Sequence, residues 1–167
     1  MLRIVQADSE EKIAQVRELF LEYFEEVGFG LCFQGFDQEL AGLPGSYGPP
    51  RGRLLLAREG ERSLGCIGLR PLSEETCEMK RLYVRPSAQG RGLGRQLVVE
   101  VLRQAEALGY RRMVLDTLPV MEAARRLYAS LGFKDTVPTG GAPDEGQIFM
   151  EIGLPQPTAG QDVFPDE

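Results

Sequence analysis

The chain has 167 residues, of which 43% are hydrophobic, and a formal net charge of −6. This length and apolar content predict one domain with a buried core and exclude a globally disordered chain. The acidic balance argues against a general nucleic-acid binder, and because the chain has no histidine, it has neither a histidine base nor a histidine ligand for a metal.

The first elements predicted are a strand and an amphipathic helix. Residues 4–6, IVQ, favour a short strand. Asp8 is the predicted cap of the helix that follows, with Glu11 as its capping-box partner. Apolar residues at spacings of three and four over 13–27 predict one buried helix face, which Gly28 ends.

The next segment, residues 28–52, is rich in Gly and Pro and is long for a connection, and such connections often carry function. Within it, residues 36–40 predict a short helix. Three strands follow, with the sequences RLLLARE, SLGCIGLRPL and CEMKRLYV, and the first two are predicted to pair antiparallel across Gly60.

The second half of the chain alternates helices and strands. An apolar stripe over 93–108 predicts a helix ended by Gly109, and RMVLDT predicts a strand. Pro119 is suited to a helix start, and the apolar face over 121–131 predicts a helix ended by Gly132. FKDTV and QIFMEI complete the elements. The order predicts the α/β class with one central sheet.

Several further features limit the possible functions. The N-terminus turns acidic where a secretory signal needs an apolar stretch, and no apolar run reaches the roughly 18 residues of a membrane span, so we expect a cytosolic protein. Cys32, Cys66 and Cys77 form no C-x-x-C pair and are expected to be buried thiols. Residues 154–167, with prolines, acids and no periodicity, are predicted to be a disordered tail after a domain over 1–153.

The most informative stretch is QGRGLGR, residues 89–95, between a predicted strand and a predicted helix. Glycines let the backbone approach a ligand, and a helix N-terminus offers free NH groups, so the stretch predicts a phosphate site with Arg91 and Arg95 at its rim. No Lys-Ser or Lys-Thr follows, as a Walker A loop requires, and the G-x-G-x-G spacing in mid-chain departs from the dinucleotide fingerprint. A plain loop is the alternative.

The same residues resemble a known family. QGRGLG fits the Q/R-x-x-G-x-G/A signature of the GNAT superfamily of N-acetyltransferases, and it lies between LYVRP and an amphipathic helix, as that family requires. AARRLYASLGF, residues 123–133, resembles the second signature of the family. The resemblance spans about residues 1–153. It implies a mostly antiparallel mixed sheet, flanked by helices, with two strands splayed at the coenzyme site.

The resemblance also implies acetyl-coenzyme A as co-substrate, with no metal. The pyrophosphate would lie on the glycine turn, and the strand before it would pair through its backbone with the pantetheine arm. A backbone NH at the splay, that of Leu82, would hold the oxyanion. The implied coenzyme-binding residues are Leu82, Tyr83, Val84, Gln89, Gly90, Arg91, Gly92, Leu93, Gly94 and Arg95.

Two residues match catalytic positions of the family. Glu78 has the spacing of a base, and a carboxylate beside an apolar site can accept a proton near neutral pH. A strand glutamate facing water or paired with an arginine is the alternative. Tyr128 matches the general-acid tyrosine, with a core aromatic as the alternative. Where many members have Asn, this chain has Met121, and Asp116 and Thr117 are the candidates to replace that coenzyme contact. A strand-end residue and a cap residue are the alternative for these two.

The acceptor is expected to be a small amine, bounded by residues 28–50, the strand of the candidate base, and loop 136–146. Phe36, Glu39 and Tyr47 are the predicted acceptor-binding residues, giving apolar walls and an anionic contact for the amine. A protein amine is a second possibility. A coenzyme A-binding sensor without catalysis is a third, and a homodimer is possible.

Overall fold

The computed structural model describes residues 1–27, 33–119, 121–137 and 147–155. In these ranges, strands and helices alternate as an α/β domain. The elements are β1 (Leu2–Gln6), α1 (Glu10–Val27), α2 (Phe33–Ala41), β2 (Arg53–Glu59), β3 (Arg62–Pro71), β4 (Thr76–Val84), α3 (Leu93–Ala107), β5 (Arg112–Thr117), α4 (Glu122–Ser130), β6 (Lys134–Thr136) and β7 (Ile148–Gly153).

The seven strands form one sheet in the order β1-β2-β3-β4-β5-β7-β6. Only the β4–β5 pair is parallel, which confirms the predicted mixed, mostly antiparallel sheet. One apolar cluster lies between the sheet and α3, and a second is formed with α1 and α2. The sheet is therefore covered on both faces, as the apolar stripes of the helices require.

The β4–β5 pair separates partway along. Its ladder joins Thr76–Glu78 to Arg112–Val114, and beyond it β5 pairs only with β7. The register of β4 against β3 also shifts between Cys66 and Gly68, so that Arg81 and Leu82 together oppose a single residue. Arg81 has φ 63°, a left-handed value that is rare for a residue with a side chain. This β-bulge turns β4 away from β5 and opens a wedge between the two strands.

Three local predictions require correction. Ser9, not Asp8, caps α1, because its hydroxyl accepts the backbone NH of Lys12 at 3.2 Å, while Asp8 pairs with the Lys12 ammonium at 3.0 Å. The second helix is longer than predicted and covers Phe33–Ala41. Pro119 precedes α4 by three residues instead of opening it.

The two described cysteines, Cys66 and Cys77, are free and buried, as predicted, and burial raises the pKa of the Cys77 thiol to about 12. Cys32 lies outside the described residues. Leu154, the first residue of the predicted tail, is buried in the cluster next to α3. The tail from residue 156 on lies outside the described residues, so the disorder of the tail stays a prediction. None of the helices in the described ranges has the length and apolar character needed to cross a bilayer.

Candidate active site

The wedge between β4 and β5 is the floor of a cleft of about 580 Å³. Its walls come from α1, α4 and the start of α3. Nine of the ten residues predicted to bind the coenzyme line it, the exception being Arg91. The lining residues are Tyr23, Glu26, Met79, Lys80, Arg81, Leu82, Tyr83, Val84, Gln89, Gly90, Gly92, Leu93, Gly94, Arg95, Leu115, Asp116, Thr117, Met121, Ala123, Ala124, Leu127 and Tyr128.

One end of this cleft, which we call the coenzyme cleft, is closed by the glycine turn. Gly90 and Gly92 have φ values of 83° and 77°, and a Cβ built on either would meet nothing within 4 Å. Gly92 is the N-cap of α3 and supplies no side-chain cap, so the first NH groups of the helix have no partner within it. Bare NH groups at a helix start, beside open space, fit a phosphate.

The polar side chains of the turn have different roles. Arg95 lines the coenzyme cleft and donates to the Ser130 hydroxyl at 2.9 Å. Arg91 instead extends to Glu59, 3.3 Å away, so it does not line the cleft as predicted. Gln89 donates its amide to the carbonyl of Val84 at 3.0 Å, which ties the turn to the end of β4.

Tyr128 lines the coenzyme cleft from α4. It is 6% exposed and its ring packs against Phe133, with centroids 5.8 Å apart. Burial, together with the charge of Asp116, raises the pKa of the Tyr128 hydroxyl, so the phenol keeps its proton at neutral pH. No described residue forms a hydrogen bond with that hydroxyl. The ring of Tyr128 is therefore part of the core, and its role as general acid stays a prediction.

Glu78 lies outside the lining of the coenzyme cleft. Its carboxylate accepts both Nε and Nη2 of Arg70, at 2.8 and 2.7 Å. Lys80 is 3.9 Å away and is also 3.7 Å from Asp116, on β5. The arginine-paired alternative therefore describes the conformation of Glu78, and Lys80 stands between two carboxylates at the point where the strands separate.

A buried ion pair holds the bulge. Arg81 donates Nε and Nη2 to the two carboxylate oxygens of Glu39, at 2.9 and 2.8 Å, and Tyr47 donates its hydroxyl to the same carboxylate at 3.0 Å. The guanidinium lies over the rings of Tyr23 and Phe36. Burial alone would raise the pKa of Glu39, but the hydrogen bonds and charge of Arg81 outweigh it, and the pKa lies below its usual value.

The predicted acceptor residues separate into two groups. Glu39 and Tyr47 line a second cleft of about 430 Å³, whereas Phe36 is 3% exposed and stacks on Phe24 in the core, 4.5 Å between centroids. Because Arg81 and Tyr47 occupy the Glu39 carboxylate, it is not the open anionic contact that was predicted. The parts of the predicted boundary at 28–32 and 138–146 lie outside the described residues.

The sequence reasoning missed Tyr23, Lys80 and Arg81, all of which line the coenzyme cleft. A signal for the last two was present in CEMKRLYV. Apolar and polar residues alternate from Cys77 to Lys80, but a second basic residue follows, and Leu82, Tyr83 and Val84 are then consecutive. This interruption of the period-two pattern is typical of a bulge.

Two other predicted contacts lie at the cleft. Met121 is the N-cap of α4 without a side-chain cap, and its sulfur accepts the Thr117 hydroxyl at 3.2 Å. Asp116 and Thr117 line the cleft beside it, as substitutes for the missing Asn would need to. Over the part of the chain that the structure describes, no three potential metal ligands group together.

Comparison with known proteins gives one consistent result. A model described as "Acetyltransferase (GNAT) family" matches residues 13–133. An uncharacterized N-acetyltransferase of Schizosaccharomyces pombe is 46% identical over 138 residues, which cover 81% of this chain and 85% of that protein.

Solved structures share the fold. The chain is similar to the PaiA N-acetyltransferase of Thermoplasma acidophilum in complex with coenzyme A, with TM-score 0.74, 19% identity and coverage of 92% of this chain and 99% of that one. It is also similar to a GNAT family acetyltransferase of Elizabethkingia anophelis with acetyl-CoA bound, with TM-score 0.67, 23% identity and coverage of 92% and 98%.

Proposed function

The chain belongs to the GNAT family of acetyltransferases, and from that premise we propose that it transfers an acetyl group from acetyl-coenzyme A directly to the amine of a small molecule. The observation that carries the proposal is the coenzyme cleft itself. It runs from the wedge between β4 and β5 to the uncapped helix start at Gly92. One groove therefore has an apolar stretch for the pantetheine arm and, at its end, free NH groups for the phosphates. The solved neighbours that bind coenzyme A or acetyl-CoA support the choice of ligand.

Different residues along the groove bind different parts of the coenzyme. Backbone NH groups of the turn at 89–95 bind the pyrophosphate, and Arg95 adds positive charge at the rim. Leu82, Tyr83 and Val84 contact the pantetheine arm along the open edge of β4. The backbone NH of Leu82, next to the bulge, donates to the thioester carbonyl oxygen and stabilises the negative charge that develops there. Acetyl-coenzyme A supplies the activated acetyl group.

Proton transfers at the two ends of the reaction need two groups. The acceptor nitrogen must lose a proton before it can attack, and Tyr128 donates its proton to the departing sulfur. We assign the base to Glu78, acting through water, because its carboxylate adjoins Lys80, which lines the coenzyme cleft. Asp116 is the second candidate, since it lines the cleft itself.

Replacing Glu78 with Gln is expected to lower kcat/KM at least about tenfold, because an amide cannot accept the proton of the acceptor amine. The matched variant is Asp116→Asn, which is expected to lower kcat/KM less. Steady-state rates of the wild type and of both variants at the same pH distinguish the two. If kcat/KM falls at least about tenfold in Asp116→Asn and stays near the wild-type value in Glu78→Gln, the roles are reversed.

Titration calorimetry with acetyl-coenzyme A tests the coenzyme site. Gly92→Glu is expected to weaken binding by about tenfold or more, about 1.4 kcal/mol, because a carboxylate at the helix start repels the pyrophosphate. The matched control is Gly109→Glu, since Gly109 also has a left-handed φ, 95°, and open space, but lies at the other end of α3. Both variants place a side chain at a left-handed φ, and only the first should lose affinity.

Two results would contradict this assignment. If the folded wild-type chain does not bind acetyl-coenzyme A, the proposed function is wrong. If both glycine variants lose affinity equally, the loss reflects backbone strain and not the position of the phosphate.

A further inference from the structure

The second cleft adjoins the coenzyme cleft. It lies under α2 and the turn at 42–47, and Lys80 and Arg81 line both clefts. A molecule in the second cleft would therefore reach the wedge between β4 and β5 by passing these two side chains. Its volume of about 430 Å³ is enough for a small acceptor.

The charges on the wall of the second cleft are mostly positive. Its charged lining residues are Glu39, Arg70, Lys80 and Arg81. Both oxygens of Glu39 are bound by Arg81, and one of them also accepts the Tyr47 hydroxyl, so this pair contributes no open charge. Arg70 and Lys80 pair with Glu78 and Asp116, two carboxylates that lie outside the lining of the second cleft, so it is the cationic members of these pairs that face a ligand there.

Both remaining cations have donors to spare. Arg70 uses Nε and Nη2 on Glu78, while its Nη1 has no partner among the described residues. The Lys80 ammonium lies 3.7 and 3.9 Å from two carboxylates and makes no hydrogen bond to a described residue, although its side chain is only 17% exposed. Donors held in a concave, partly dehydrated site bind a carboxylate more strongly than they would in water.

We propose that the acceptor is a small amino carboxylate, such as an amino acid, whose carboxylate binds Arg70 and Lys80 in the second cleft. This inference rests on the proposed function and names the substrate class of the same site. The carboxylates of Glu78 and Asp116 flank Lys80, so the site places negative charge next to positive charge, as a zwitterion requires. A carboxylate-free amine would form no charge-assisted hydrogen bonds with Arg70 and Lys80 and would leave their spare donors to water.

The ammonium of the bound amino acid first gives a proton to the base. The neutral nitrogen then attacks the thioester carbonyl carbon, a C–N bond forms and the C–S bond breaks. The nitrogen gives up its second proton to solvent, the sulfur gains the proton of Tyr128, and the phenolate takes a proton back from solvent. The product is an N-acetyl amino acid that keeps its carboxylate but has lost its positive charge. Arg70 and Lys80 therefore contact a group that the reaction leaves unchanged.

Calorimetry with the protein loaded with coenzyme A tests the proposal without turnover. The probes are the standard amino acids, each compared with its C-terminal amide and its decarboxylated amine. At least one amino acid is expected to bind about tenfold or more tightly than its amide and its amine, because only the acid offers an anion to the two cations. The proposal is wrong if no amino acid binds, or if the amides and amines bind as well.

Substitutions of Lys80 and Arg70 test where the carboxylate of the acceptor binds. Lys80→Met is expected to reduce this discrimination about tenfold or more while leaving the Arg70–Glu78 pair in place. Arg70→Lys keeps the charge but loses the planar fork and should reduce it less. The matched control is Lys134→Met, which removes an exposed lysine on β6, three strands away, and should change nothing. Unaltered discrimination in Lys80→Met and Arg70→Lys would overturn the assignment.

Different results would contradict the proposed acetyl transfer and the proposed amino carboxylate acceptor. If the wild type binds acetyl-coenzyme A and acetylates only amines without a carboxylate, the proposed function stands and the amino carboxylate is wrong. If acetyl-coenzyme A itself does not bind, the proposed function fails first. Wild-type discrimination needs no variant, so the test remains valid even if Lys80→Met does not fold.

Discussion

Replacing Tyr128 with Phe is expected to lower kcat by about 100-fold or more, which is the lower end of typical general acid–base contributions. The ring is packed in the core, and Phe fills the same space, so the variant should fold and bind acetyl-coenzyme A like the wild type. Only the hydroxyl is lost. Because no described residue bonds to that hydroxyl, its removal leaves no partner group unsatisfied.

The pH dependence of the wild type gives a second check on Tyr128. Burial raises the pKa of this phenol above its ordinary value of 10.0, so the acid stays protonated throughout the neutral range. We therefore expect no fall in kcat from ionisation of Tyr128 below about pH 10.

The matched control is Tyr110→Phe. Tyr110 is fully buried, and its hydroxyl donates to the carbonyl of Arg51 at 2.8 Å and accepts Nε of the same residue at 3.1 Å. Its removal should cost about 1–3 kcal/mol of stability and leave kcat unchanged. Equal kcat values for wild type and Tyr128→Phe would assign Tyr128 to the core alone.

Replacing Glu39 with Ala is expected to reduce the free energy of unfolding by about 3–5 kcal/mol. The change leaves the Arg81 guanidinium, which is 7% exposed, without its counter-charge, and it also removes the acceptor of the Tyr47 hydroxyl. Urea unfolding monitored by circular dichroism measures the loss. The comparison variant is Glu59→Ala, which breaks the exposed pair with Arg91 and should cost no more than about 1 kcal/mol.

The same ion pair makes stability depend on pH. The pKa of Glu39 is lower in the folded state than its ordinary 4.5, so the unfolded chain takes up the proton first as the pH falls. The stability that the pair contributes is therefore present above about pH 4.5 and is lost as the pH falls through the lower, folded value. Glu39→Gln should lack this part of the acid dependence. An identical acid dependence in both proteins would contradict the assignment.

Loss of the Glu39 carboxylate is also expected to change the conformation of the bulge that forms the coenzyme cleft. Arg81 is the residue of the β4 bulge that has a left-handed φ, and Glu39 on α2 binds its side chain. A left-handed conformation costs an ordinary residue about 1–2 kcal/mol, so it persists only where side-chain contacts stabilise it. The Arg81–Glu39 pair is such a contact, and it joins the helix over the second cleft to the strand that forms the wedge.

Most of the helices and strands, and the glycine turn at the start of α3, could be predicted from the sequence. The apolar stripe of α3, its glycine stops and the turn at 89–95 are local features, because periodicity and glycine φ preferences act within one or two turns of chain. The same locality placed Tyr128 on α4 at the right spacing for the family signature. Family membership followed from two such local motifs in the correct order.

Which charged side chains are paired with one another could be seen only in the fold. Glu39 looked from sequence like an open anion, yet Arg81, 42 positions away in sequence, occupies it. Glu78 is likewise bound by Arg70 across the β3–β4 pair. Whether a carboxylate is neutralised depends on partners brought close by sheet register and by one bulge. These long-range pairings produce no periodic pattern in the sequence, so the charges that face the second cleft could be assigned only from the fold.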